Sequence, residues 1–142
     1  MKQSTTALSG VEVNTSATEG TRYSLFVALG ILFWFEAALF VRAFGDRVFD
    51  MGIAHAMTYF AALLVCPMLV WLVALVARVP SNTMVLPTII MTMSALLLDG
   101  VAMTLSPALY GGMNETLTYG AAWILWGAGC GLLSAMLLSK QS

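Results

Sequence analysis

Residues 57–79 read MTYFAALLVCPMLVWLVALVARV, a run in which the only charged side chain, Arg78, stands next to the end. Roughly 20 mostly apolar residues are enough for a helix to cross the hydrocarbon core of a bilayer. Lipid offers no hydrogen bonds to a bare backbone, so a spanning segment must be a helix or part of a closed barrel. This run is too long for a barrel strand and shows no strand-like alternation. It predicts a transmembrane helix.

Working outward, three more stretches have the same character: residues 23–44, 85–106 and 117–139. Turn-forming residues separate them. Gly45-Asp46-Arg47 opens the first connection, Pro80-Ser81-Asn82 marks the second, and Pro107 through Glu115 forms the third. The expected fold class is all-α: an integral membrane up-down bundle of four transmembrane helices over residues 23–142. A polar, flexible N-terminal tail over residues 1–22 is expected before it, without an apolar leader segment. The short second connection predicts that the second and third helices are antiparallel neighbours. Tyr23, Tyr59, Tyr110 and Tyr119 fall at or near span ends, where amphipathic rings favour the headgroup region.

Composition agrees. Hydrophobic residues make up 60% of the chain and charged residues 9%, against about a quarter charged in soluble domains. The net charge of −1 and the lack of a basic run give no reason to expect a nucleic-acid partner. Cys66 and Cys130 lie inside apolar stretches with no C-x-x-C spacing, and read as small buried residues. Nothing calls for a cofactor or a metal. The expected partners are the lipid bilayer and either further copies of this chain or another membrane protein. Lys2, Arg22, Arg78 and Lys140 share one side of the membrane, and Arg42 and Arg47 the other. That balance favours cytoplasmic termini, although the charges around the first helix alone argue the reverse.

Two acids interrupt the apolar spans, Glu36 in the first and Asp99 in the third. An ionisable group inside a span is costly and usually faces the protein interior, so both are candidate functional residues. Each falls about two-thirds of the way along its expected span, which predicts a shared depth. Thr88, Thr92, Ala95, Asp99, Ala102 and Ser106 recur at spacings of four and three, a small polar stripe along one helix face. It reads either as a hydrated seam holding a titratable acid or as a tight packing surface in which Asp99 bonds a hydroxyl or indole. Glu36 stands among Phe33, Trp34, Phe35 and Phe40, with a Trp N–H as its nearest natural partner. Arg42, six residues on, points away from it on an ideal helix.

The connection from Gly45 to Gly52 mixes charged and apolar residues, and Val48, Phe49 and Met51 are expected to dip into the interface. His55 follows on the same side as both acids. Glu36, Asp99, Asp50 and His55 together would suit a cation or a proton relay, while a lone His at a span end reads more plainly as a solvated residue. In the fourth span Gly127 and Gly131 form a small-x-x-x-small pair that Gly120 and Ser134 extend, a face that lets helices approach closely.

The runs Leu96-Leu97-Leu98-Asp99, Leu105-Ser106-Pro107-Ala108-Leu109-Tyr110 and Ala121-Ala122-Trp123-Ile124-Leu125-Trp126-Gly127 have a familiar look. So do Gly30-Ile31-Leu32-Phe33-Trp34 and Phe40-Val41-Arg42-Ala43-Phe44-Gly45. They resemble a family of small four-span bacterial membrane proteins, a domain of unknown function, over nearly everything after Arg22. The resemblance implies a four-helix bundle in a bacterial inner membrane and marks Arg42, Asp99 and Trp123. It supplies no activity. The residues themselves suggest oligomeric passage of protons, ions or small solutes, or an accessory subunit of a larger complex. An enzyme is disfavoured: there is no H-E-x-x-H, no G-x-S-x-G, no phosphate loop and a single His.

Overall fold

The computed structural model describes residues 5–49 and 52–140, with side chains from Arg22 onward. Its helices are α1 (Thr5–Val48), α2 (Ile53–Ala77), α3 (Val85–Leu105) and α4 (Glu115–Lys140). Short 3-10 turns, Ser81–Thr83 and Pro107–Tyr110, follow α2 and α3. All four helices are long and apolar enough to cross a membrane, the crossing part of α1 being Arg22–Val48. The protein is an integral membrane helical bundle.

The expected first break does not occur at Gly45. Helix α1 runs on to Val48, and Phe49 N–H still donates to Gly45 O at 2.9 Å. Gly45 is a contact residue here: a Cβ at this position would collide with the Thr116 methyl of α4. Nor does Phe49 dip into lipid, since it is only 3% exposed and packs inside the bundle. Met51 lies outside the described residues. Ahead of the span, where a flexible tail is expected, helical backbone extends back to Thr5. Once a long helix is nucleated, each further residue adds a hydrogen bond at little extra cost.

Helix α2 ends in a Schellman motif. Arg78 takes the left-handed position at φ 52°, its N–H donating to Leu75 O, while Val79 N–H donates to Ala74 O. The chain then crosses the end of α4, against which the turn Ser81–Thr83 packs. As a result α2 and α3 are not the neighbours their short connection predicts. Helix α1 packs mainly on α3 and α2 mainly on α4, with α4 also touching α3 and α1. The strongest pairs therefore join helices that run in the same direction.

Two apolar clusters fill the bundle. One joins the start of the α1 span and of α3 to the end of α2 and α4 through Phe26, Val70, Val73, Met84, Met91 and Ala135. The other, at the opposite end, gathers Ala38, Val41, Phe49 and Tyr110. Glycines set the separations. A Cβ on Gly30 would lie 2.5 Å from the Met91 carbonyl oxygen, and one on Gly120 would lie 2.6 Å from a Val41 methyl. The outward faces carry exposed apolar side chains such as Leu64, Val76, Leu97 and Leu125, as lipid contact requires.

These contacts predict opposite outcomes for two similar substitutions. Gly30→Ala pushes against α3 backbone, which has no flexible end to yield, and should destabilise by about 1–3 kcal/mol. Gly127→Ala adds a methyl with nothing within 4 Å, so it should leave stability unchanged or slightly raised. Thermal unfolding in one detergent checks the pair; equal losses would refute the close α1–α3 contact.

Candidate functional site

The polar centre of the bundle is assembled from α1, α3 and the turn after α3. Helix α3 closes at Ser106, and Pro107 begins the 3-10 turn that carries Tyr110 back into the protein. Gly111 and Gly112 follow with φ of 101° and 111°, a reversal that L side chains resist. Tyr110 is 0% exposed. Its ring is turned into the protein, whereas its place near a span end suggested contact with headgroups.

Its hydroxyl donates to Asp99 Oδ1 at 2.5 Å and accepts from Trp34 Nε1 at 2.9 Å. Asp99 is 4% exposed, so its carboxyl lies inside the protein with a donor supplied. The result is a closed chain from indole to phenol to carboxyl. Burial, with Asp99 beside it, pushes the Tyr110 phenol well above its ordinary value. Trp34, expected to serve Glu36, is committed to Tyr110 instead.

Glu36 is not part of this centre. On α1 the fully buried residues Ala38 and Val41 mark the inner face, and Trp34 also turns inward. Two residues from either Trp34 or Ala38 is about 200° around a helix, so Glu36 points outward. It is exposed and makes no hydrogen bond or ion pair among the described residues. The depths also differ. Glu36 lies one residue past the midpoint of its span, whereas Asp99 lies four residues past the midpoint of α3. The two acids do not share a site.

His55 stands in a third environment. Its ring lies 4.9 Å from Tyr59, 5.7 Å from Tyr119 and 6.3 Å from Phe49, with Nδ1 buried and unbonded. The aromatic group continues through Trp123, which stacks on Phe40 at 4.9 Å and donates to Thr58 O at 3.4 Å. The fourfold acid and histidine cluster is thus not assembled: Glu36 faces out, Asp99 faces in, and Asp50 lies outside the described residues. Among the described residues no three His, Cys, Asp or Glu side chains gather as a metal site would need. Arg42 is exposed and unpaired among the described residues.

The polar stripe turns inward through Thr88, which is 3% exposed, half-buried Thr92 and Asp99. Ser106 departs from it: as the C-cap of α3 it leaves helical phase and is exposed. The glycine face divides in the same way. Gly120 packs on Val41, and buried Ser134 donates to Cys130 O at 2.6 Å. Gly127 and Gly131 have open space where a Cβ would stand, although the Gly127 carbonyl accepts from Cys66 Sγ at 3.5 Å.

No family model, no curated protein and no solved structure matches the chain.

Tyr110→Phe removes a donor from a buried carboxyl and an acceptor from a half-buried indole. The expected loss is about 1–3 kcal/mol. Asp99→Asn should cost less, because its amide oxygen can still accept from Tyr110. Because the folded-state phenol value is raised, the Tyr110 contribution is whole below the unfolded value of about 10 and declines as pH rises beyond it. Melting curves of parent and Tyr110→Phe across alkaline pH should converge; parallel curves would sink the assignment.

Proposed function

We propose that this chain is one subunit of a homo-oligomer in the bilayer, and that protons or small cations cross between its subunits past Glu36. The observation that carries this reading is an exposed carboxyl, unpaired among the described residues, at the middle of a membrane-spanning helix. Facing hydrocarbon, such a group costs about 2.5–3.5 kcal/mol on insertion scales, so its natural surroundings are water or another protein surface.

The neighbours of Glu36 support a subunit contact there. Leu25, Ala28, Leu32, Leu39 and Ala43 are all exposed and fall on the same side of α1 as Glu36. A rotation axis along the membrane normal keeps every copy at one depth, so the Glu36 side chains of neighbouring copies meet at one level. Rings of carboxyl groups at one level are a recurring basis for cation selectivity. Asp99, closed into its bond with Tyr110, acts in this reading as a positioning group and not as a carrier. A bacterial inner membrane with both termini in the cytoplasm is the setting proposed with it.

A second reading, an accessory subunit of a larger complex, draws on the open surface at Gly127, Gly129 and Gly131 of α4. Mild extraction separates the two: copies of this chain alone favour the first, and a stoichiometric partner favours the second.

For the preferred reading, proton flux into proteoliposomes should fall to the level of empty vesicles in Glu36→Gln. It should persist in Asp99→Asn. Undiminished flux in Glu36→Gln rejects passage at this residue.

A further inference from the structure

A cavity of about 180 Å³ opens between the start of the membrane-crossing part of α1 and the start of α3, at the end of the bundle opposite Tyr110. We infer that it binds the phosphate headgroup of an anionic membrane lipid, with an acyl chain lying along its apolar wall.

The arrangement of its lining is graded with depth. Arg22 and Tyr23 stand at the first residues of the α1 span, and Thr83 belongs to the turn before α3. Phe26, Leu86 and Ile90 line it further along α1 and α3. A step of four residues descends about 6 Å along a helix. A cationic and hydroxyl-bearing mouth therefore gives way, within one helical turn, to an apolar wall. A phospholipid has the same order of chemistry, phosphate outermost and hydrocarbon beneath it.

Among the residues with described side chains, charge favours an anion over a neutral headgroup. Arg22 makes no ion pair among the described residues. Arg78 and Lys140, both exposed, stand at this end as well. The acids with described side chains, Glu36, Asp46, Asp99 and Glu115, all lie at mid-span or toward the other end. A guanidinium offers paired N–H donors that match two phosphate oxygens, and the Tyr23 hydroxyl adds a neutral donor at headgroup depth. This site is separate from Glu36 and does not depend on the passage proposed there.

The test is native mass spectrometry of the full chain, released from detergent with phosphatidylglycerol, with phosphatidylcholine, or with inorganic phosphate alone. One phosphatidylglycerol should be retained per chain in preference to phosphatidylcholine. Arg22→Gln should weaken that retention roughly fivefold, the factor one basic residue near an anionic surface contributes. Leu86→Trp, which narrows the cavity from an exposed position, should weaken it with Arg22 intact. Arg47→Gln, at the far end of α1, should not change it. Equal retention of both lipids, or equal loss in Arg22→Gln and Arg47→Gln, would overturn the site. Inorganic phosphate binding as tightly as the lipid would also overturn it, by showing that the apolar wall plays no part.

Discussion

The hydroxyl of Tyr110 holds together three segments that would otherwise meet only through apolar contact. It accepts a hydrogen bond from the indole N–H of Trp34 on α1 and donates one to Asp99 on α3, while its backbone belongs to the turn that leads to α4. Apolar side chains in lipid have little reason to prefer one helix register to another, because hydrocarbon surrounds them whether or not they pack. A directional chain of two hydrogen bonds does select a register. With it set, Gly30 comes against Met91, and the turn after α3 closes over the end of the bundle.

Span number and approximate span position were legible because length and hydropathy report them directly. Rotation of each helix was not. In a soluble helix the apolar stripe marks the buried face, but here Leu32 and Leu39 face outward while Ala38 and Val41 face inward, and all four are apolar. For the same reason depth alone grouped Glu36 with Asp99, although the helix turns one out and the other in. Tyr110 was misplaced by a rule about span ends that knows nothing of a turn folding back. The available signal was an apolar Pro-Ala-Leu-Tyr run followed by two glycines. Gly45 looks like punctuation in the sequence, whereas its use is to admit Thr116.

The three ionisable environments form a graded series. Asp99 has its partner built in, His55 is enclosed by rings with one nitrogen unbonded, and Glu36 is left open on the outer surface. Among the described residues the bundle thus partners its buried carboxyl from within and leaves the mid-span carboxyl of Glu36 to be answered from outside. Its neighbours on that face are aliphatic, so whatever meets the surface meets lipid-like packing with one polar group in the middle.

The pairing of α1 with α3 and of α2 with α4 also bears on how the chain is made. Helices leave the ribosome in order, so when α1 and α2 have both entered the bilayer, each still lacks its main packing partner. The first half of the protein is then a loose pair of spans that touch each other only lightly. Assembly has to wait for α3 to reach α1 and for α4 to close on α2, which makes the bundle cooperative across its whole length. A chain cut between its halves would give two fragments that each insert but keep their interlocking faces open, with complementation from separate pieces as the natural consequence.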